Sequence, residues 1–483
     1  MKLSELLRGI KVIKNNVLTD PEIEEIVFDS RKARTSVLFV ALKGISSDGH
    51  DFVEAALELG AECCVTESDL GKNCIVVENT RYALAIMSAN FYGNPAKSLK
   101  LIGVTGTNGK TTSTYLIKQV LEDLGYKVGL IGTINNMIGD RVIETNYTTP
   151  EPTELHKCFA EMKKENVDYV VMEVSSQALD QERVAGLEFE TALFTNLTQD
   201  HLDYHKSMEN YLAAKLKLFT MCETAVINAD EDVASEFEAV VKGKKLLYSR
   251  DKTSADIFSR NAEFSAEGIK FTVFAQGEIA KCSVGIPGKF TLYNSLAVIA
   301  VCKAMGIPID RISKSLSAVK GIKGRAELVP TGRNFAVVID YAHTPDALMN
   351  IISSMKSSPY GRIVTLFGCG GDRDRTKRPL MGNVATEMSD FTIITSDNPR
   401  TEDPKQIIED ILDGVKTAKS RYTVIENRKE AIEYAVQNAK SGDIIILAGK
   451  GHETYQILKD GKVHFDEREI VADALAKLKT DKK

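Results

Sequence analysis

The segment Gly103-Val104-Thr105-Gly106-Thr107-Asn108-Gly109-Lys110-Thr111-Thr112 has the residue types that hold polyphosphate. Small residues let backbone N–H groups approach phosphate oxygens, and a helix N-terminus adds partial positive charge. Lys110 would neutralise the β- and γ-phosphates, and the Thr111 hydroxyl would reach a magnesium ion. The general pattern wants glycine five residues before Gly109, where Val104 stands. The loop is therefore a variant in which Gly103 and Gly106 flank the slot. A Gly-rich turn with a surface lysine is the plain alternative. Gly-Lys-Thr-Thr between a strand and a helix favours a nucleoside triphosphate site.

Other chemistry-bearing residues are more ambiguous when read alone. Glu173 closes the strand pattern Tyr169–Val174, where ligand sites of parallel sheets gather, and its hard oxygens suit Mg²⁺. A solvated strand-end residue or a helix cap would look the same. Lys215 reads as a surface lysine on a helix over Met208–Phe219, and His343 after Asp340 as a core histidine or a phosphate neighbour.

The elements that must position these residues follow from apolar patterning. Leu99–Val104 reads as a strand and Thr111–Gly125 as a helix, followed by strands at Val128–Ile131, Tyr169–Val174, Ala192–Asn196 and Ala225–Ile227. A second series has strands at Ala336–Ile339, Arg362–Phe367, Phe391–Thr395 and Asp443–Leu447, with helices at Pro404–Ala418 and Lys429–Ala439. Such alternation predicts mostly parallel α/β sheets. The polar stretch Tyr92–Ser98 suits a linker. The expected division is 1–97, 98–324 and 325–483, with the last residues, Lys479–Lys483, a frayed charged tail.

Composition agrees with a globular chain. Of 483 residues, 43% are hydrophobic and 27% charged, and a domain per roughly 150 residues gives about three. The net charge of −6, with both signs mixed along the chain, gives no basic footprint for nucleic acid. No apolar run approaches the roughly 18–20 residues of a membrane span, and Met1–Ile13 lacks the features of a signal peptide. A cytoplasmic, monomeric protein is expected. The eight cysteines show no CxxC spacing and read as buried free thiols.

The loop from Gly106 to Thr112 resembles that of the Mur ligases and the related folylpolyglutamate synthases. The likeness to the Mur ligases extends, in order, along nearly the whole chain. It includes Asp29-Ser30-Arg31, Leu42-Lys43-Gly44, Asp48-Gly49-His50, Tyr147-Thr148-Thr149-Pro150 and Met172-Glu173-Val174-Ser175-Ser176. It continues through Asn196–His205, Ala213-Ala214-Lys215, Asp340–Asp346, Gly370–Arg373, Asp397-Asn398-Pro399-Arg400 and Gly449–Glu453. Gln177, where the family usually has His, and Thr291, where Asn is commoner, depart from it.

The resemblance implies a small N-terminal α/β domain for a UDP-sugar, a central P-loop ATPase-like parallel-sheet domain and a C-terminal Rossmann-like α/β domain. It implies an ATP-dependent ligase of peptidoglycan synthesis. That enzyme would add meso-diaminopimelate to the D-Glu carboxylate of UDP-MurNAc-L-Ala-D-Glu through an acyl phosphate. ATP would meet Gly106, Thr107, Asn108, Gly109, Lys110, Thr111, Thr112, Asn294, Arg325 and Asp340. Mg²⁺ would take Thr111, Glu173, His201 and Lys215, the lysine carrying a CO₂-derived carbamate that turns it into an anionic ligand. Lys110, Lys215 and His343 would serve the reaction itself.

The same likeness assigns Ser30, Thr148, Thr149, Ser175, Gln181 and Arg183 to the nucleotide-sugar dipeptide. It assigns Arg373, Asp397, Asn398, Pro399, Arg400, Gly449 and Glu453 to the incoming amino acid. Arg373 would clamp its α-carboxylate bidentately. Arg400 suits a second carboxylate and Glu453 a distal ammonium, which together describe meso-diaminopimelate. L-lysine remains the alternative substrate, and a non-catalytic nucleotide switch the alternative of another class.

Overall fold

The computed structural model describes residues 1–44, 47–143, 145, 147–265, 268–356, 361–415 and 421–480. These residues form two compact units. The first comprises Met1–Thr105, Gly125–Ala192 and Ala214–Glu223; the second comprises Gly106–Leu124, Leu193–Ala213 and Thr224–Lys483.

The first unit opens with a five-stranded sheet in the order Val12–Asn15, Cys74–Val77, Cys63–Thr66, Val37–Val40, Glu25–Val27. All neighbours are parallel except the antiparallel edge strand Val12–Asn15. Strand side chains alternate faces, so Leu38, Val40, Cys63 and Val65 enter one core and Val37, Phe39, Cys64 and Cys74 the other. A sheet covered on both faces reads as continuous apolar runs rather than alternation. Seven of the eight cysteines are buried and Cys222 is partly so; burial pushes the Cys64 thiol up to about 12.

The same unit holds the parallel strands Lys100–Thr105, Tyr169–Glu173 and Val128–Ile131, with Tyr169–Glu173 in the middle. An antiparallel hairpin, Asn136–Ile138 and Arg141–Ile143, extends that edge. The linker expected over Tyr92–Ser98 contains a 3-10 turn, Pro95–Ser98.

In the second unit, Lys110–Asp123 packs against the largely buried helix Lys289–Ala304. A meander of Ile257–Ser265, Gly268–Ala275 and Glu278–Val284 is antiparallel, the minority pairing within the mostly parallel architecture expected. The turn at Gln276-Gly277, both at positive φ, is the local signal for it.

The C-terminal sheet runs Glu327–Val329, Ala336–Asp340, Ile444–Ala448, Ile363–Phe367, Phe391–Ile394, Arg421–Val424, parallel except for its first strand. The last of these strands in sequence, Ile444–Ala448, thus lies in the middle. Val337, Ile339, Val364, Leu366, Ile445 and Leu447 bury one face under the helices Arg428–Gln437 and Glu467–Thr480. The expected helix Pro404–Ala418 is seen over Pro404–Leu412; residues 416–418 lie outside the described residues, as do 481–483 of the expected tail. Among the described residues no helix is long and apolar enough to cross a membrane.

Candidate functional site

The phosphate loop enters the second unit at Gly106 and ends at Gly109, the N-cap of helix Lys110–Asp123. Gly109 has φ +86°, and a Cβ there would come within 2.5 Å of Asn294 Oδ1, so both backbone and space require glycine. The loop is pinned by Asn196, whose carbonyl accepts from Thr107 N (2.9 Å) and whose side-chain oxygen accepts from Asn108 N (2.8 Å). Thr195 Oγ1 donates to Asn108 O at 2.7 Å, and Asn108 Nδ2 to Asp346 Oδ2 at 2.9 Å. Lys110 Nζ lies over the loop, donating to the carbonyls of Gly106 (2.8 Å) and Thr107 (2.7 Å).

Arg325 Nη2 donates to Thr111 Oγ1 at 2.8 Å, and its guanidinium stacks 4.8 Å from the Tyr341 ring centroid. The structure thus brings two of the residues expected at ATP together. Asn294 Nδ2 and Arg325 Nε are buried without a hydrogen-bond partner among the described residues. Buried donors left unpaired are costly, and a nucleotide beside this loop would offer acceptors to such groups. Thr291, where the family more often has Asn, is buried and turns its hydroxyl back to Pro287 O (3.2 Å), which absorbs that departure locally.

Asp340 closes its strand and accepts from Ala326 N (2.7 Å) and Ala342 N (2.8 Å); burial raises its carboxyl above the usual range. His343 Nδ1–H donates to Tyr341 O at 2.8 Å, which leaves Nε2 as the acceptor nitrogen. Partial burial and then Lys377 lower this imidazole, so it is neutral near pH 7 while its side chain keeps 40% exposure. Two residues without a site assignment from sequence join it. Buried Asp200 lies 3.8 Å from His343 Nε2, 3.7 Å from Lys377 Nζ and 3.4 Å from His201 Nε2. Burial opposes its charge, but His201, Lys377 and His343 outweigh that and hold the carboxyl below its usual range.

In the first unit, Glu173 is buried at the end of its strand. Its two oxygens accept from Thr133 N (2.9 Å) and Thr133 Oγ1 (3.0 Å). Lys215 is also buried, at 1% exposure, unlike the surface lysine that its helix position alone suggests. Its helix, Met208–Phe219, turns that face inward because Leu218 and Phe219 are core residues. The Glu173 carboxylate offers hard oxygens of the kind Mg²⁺ takes. Among the described residues no three His, Cys, Asp or Glu side chains are arranged to hold a metal ion by themselves.

Thr148, Thr149, Ser175, Gln181 and Arg183 form one network. Thr149 Oγ1 donates to Glu173 O (2.9 Å) and accepts from Ser175 N (3.0 Å), and Arg183 donates to Thr149 O (2.9 Å) and Gln181 Oε1 (2.7 Å). Thr133 Oγ1 bonds Thr148 Oγ1 at 3.0 Å, and Arg183 pairs with Glu151 at 2.7 Å. Glu151 carried no sequence signal, because its pairing with Arg183 crosses a long stretch of chain. Ser30 starts a 3-10 turn capped by Asp29 and makes no hydrogen bond to this network. Gln177 Oε1 accepts from its neighbour Ser176 Oγ at 3.3 Å.

The amino-acid residues expected from sequence gather at the carboxyl ends of the C-terminal strands, where ligands of parallel sheets bind. Asn398 Nδ2 donates to Glu453 Oε2 at 2.9 Å. Gly449 has φ +115°, and a Cβ there would sit 2.5 Å from Asp397 Oδ2. Arg400 donates to Gly371 O at 2.8 Å and makes no ion pair among the described residues. Burial first, and then the like charge of Arg373, lowers its guanidinium pKa. Two arginines close enough to repel, one of them enclosed, favour an anionic ligand. Arg373 itself is exposed and donates to Asp372 O at 2.8 Å.

Comparisons with known proteins bear on all of these segments. Residues 22–92 match the catalytic domain of the Mur ligase family, 104–302 the Mur ligase middle domain, and 324–451 the Mur ligase glutamate ligase domain. The chain is 50% identical to a UDP-N-acetylmuramoyl-L-alanyl-D-glutamate–2,6-diaminopimelate ligase of Caldanaerobacter subterraneus subsp. tengcongensis, over 99% of each. It is 46% identical to the Clostridium botulinum protein of that name, over 99% of this chain and 100% of the relative. A solved structure of a ligase so named is 31% identical, covers 99% of both chains and superposes with a TM-score of 0.70. The MurF ligase of Thermotoga maritima in complex with ADP shares the fold, at 18% identity and a TM-score of 0.64 over 95% of this chain and 98% of its own.

Proposed function

The chain belongs to the Mur ligase family, an ATP-dependent ligase family, and we propose that it joins meso-2,6-diaminopimelate to UDP-N-acetylmuramoyl-L-alanyl-D-glutamate in peptidoglycan synthesis. The observation that carries the choice of amino acid is the enclosed Arg400. It makes no direct ion pair among the described residues, has Arg373 near it, and faces Asp397 and Glu453 at longer range. Diaminopimelate brings a carboxylate and an ammonium at each end. Lysine lacks the distal carboxylate and would leave Arg400 unmatched, at a cost on the order of 1–3 kcal/mol.

A carboxylate does not accept an amine directly, because oxide is a poor leaving group. The D-Glu carboxylate would attack the γ-phosphorus of ATP, giving an acyl phosphate and ADP. The free amine of diaminopimelate then attacks the acyl carbon, and the tetrahedral intermediate expels phosphate to leave the amide. Such phosphoryl transfer needs positioning and charge neutralisation above all. The loop amides and Lys110 supply both at the phosphates, Arg325 fixes Thr111, and the neutral His343 offers Nε2 as an acceptor. Mg²⁺, held by Thr111, Glu173, His201 and carbamylated Lys215, would neutralise phosphate charge. The hard-oxygen donors and the burial of Glu173 and Lys215 support that set.

We assign residues 1–97 to the UDP-sugar, 98–324 to ATP and 325–483 to the amino acid, in a monomeric cytoplasmic enzyme. Ser30, Thr148, Thr149, Ser175, Gln181 and Arg183 are the proposed dipeptide contacts. The test is phosphate release with ATP, Mg²⁺ and the UDP-dipeptide, plus diaminopimelate, L-lysine or no amino acid, with products identified by mass. Tripeptide formed with diaminopimelate and little with lysine is the expected result. Product with lysine would overturn the pocket reading. ATP turnover indifferent to the amino acid would overturn the ligase reading.

A further inference from the structure

The strands Phe391–Ile394 and Ile444–Ala448 lead into Asp397-Asn398 and Gly449–Glu453 at one end of the C-terminal sheet. Lys450, between Gly449 and the pocket residue Glu453, is wholly buried. Its Nζ lies 2.9 Å from Glu453 Oε2, 3.0 Å from Asn398 Oδ1 and 3.7 Å from Asp397 Oδ1. The rings of Phe465 and Tyr455 stand 5.7 and 5.9 Å from it. A buried ammonium is tolerated only when paired. This one faces two carboxylates, so the group of three retains one negative charge.

The bonding is directional. Asn398 Nδ2 donates to Glu453 Oε2, the same oxygen that Lys450 takes, and Oε1 has no hydrogen-bond partner among the described residues. The Asn398 amide cannot flip, because its Oδ1 faces two donors, Lys450 Nζ and Ile457 N (2.9 Å). We propose that Lys450 is a positioning residue for amino-acid recognition: through Glu453 Oε2 and Asn398 it presents Glu453 Oε1 to the distal ammonium of the incoming amino acid without touching that substrate. The inference rests on the reading of Arg373, Arg400 and Glu453 as the amino-acid pocket.

Electrostatics point the same way. Burial raises the Glu453 carboxyl, Lys450 lowers it and Asp397 raises it again; Arg400, Tyr341 and Tyr455 also face it. Without the Lys450 charge, Glu453 would stand beside Asp397 with Arg400 as its cation and would keep its proton to higher pH.

The experiment is steady-state kinetics of the full-length enzyme and its K450M, K450R and E453Q variants, varying diaminopimelate and ATP separately across pH. K450M is expected to raise the KM for diaminopimelate about tenfold or more with the KM for ATP unchanged. It should also move the acid limb of kcat/KM for diaminopimelate to higher pH, while K450R leaves that limb in place. Equal rises for both substrates, an unmoved acid limb in K450M, or no change at all would overturn the proposal. If K450M does not fold, K450R decides: a KM rise confined to diaminopimelate supports the proposal, and a shared rise or none overturns it. E453Q separates the two readings. An unchanged diaminopimelate KM in E453Q would mean the pocket reading fails; a raised one with a normal K450M would mean only the Lys450 proposal fails.

Discussion

Arg325 donates a 2.8 Å hydrogen bond to Thr111, joining the residue that precedes the C-terminal sheet to the first turn of the phosphate-loop helix. The bond ties a residue of the expected ATP set to the proposed magnesium ligand of the loop. R325A is expected to lower kcat/KM for ATP by about 10- to 100-fold, the scale of one charged hydrogen bond, with R325K intermediate. Kinetics with ATP varied, beside a thermal melt showing an intact fold, would check it. A variant with unaltered ATP kinetics would show that Thr111 needs no such partner.

Arg400 should discriminate between diamino acids. Truncation in R400A removes the cation matched to the distal carboxylate, so kcat/KM for diaminopimelate should fall by about 10- to 100-fold or more. The activity with lysine should change far less, and the ratio of the two should narrow. Competition assays with both amino acids read that ratio directly; a ratio that stays constant would refute the assignment.

Lys215 should make activity depend on dissolved CO₂. The side chain is buried, and as a carbamate it would be an anionic ligand where an ammonium would repel magnesium. Activity in CO₂-depleted buffer should fall and recover with bicarbonate, whereas K215R should be inactive and indifferent to bicarbonate. Full activity of K215R would rule the modification out as a requirement.

His156 gives the fold an acid-sensitive point away from the site. The ring is 1% exposed, neither nitrogen has a hydrogen-bond partner among the described residues, and burial lowers its pKa to about 4. The unfolded chain takes up a proton near pH 6.5 that the folded chain refuses until about pH 4. Stability therefore holds above pH 6.5 and declines as pH falls through that window, by up to about 3 kcal/mol. H156L should flatten this decline. Urea melts at pH 7 and pH 4.5 would show it, and an equally steep decline in H156L would place the sensitivity elsewhere.

The sequence by itself determined the local devices: the phosphate loop, the strand–helix alternation, and the short motifs that mark the family. These are set by neighbours within a few residues, through turn chemistry and apolar period, and so are legible in one dimension. Val128–Ile131 and Met208–Phe219 stand in the structure with the limits the pattern gave them. Only the tertiary structure decided which of those devices meet. Strand order is one case: Ile444–Ala448 lies between Ala336–Asp340 and Ile363–Phe367 because sheet pairing depends on long-range packing that apolar period cannot encode. Lys215 and Lys450 are the others. Read without the resemblance, Lys215 is an ordinary surface lysine and Lys450 has no assigned role; both are buried, Lys215 on the inward face of its helix and Lys450 in the loop after Ile444–Ala448. Whether a lysine is solvated or is the paired cation beneath a carboxylate depends on chain segments far away in sequence, here Asp397, Asn398 and Phe465 around Lys450.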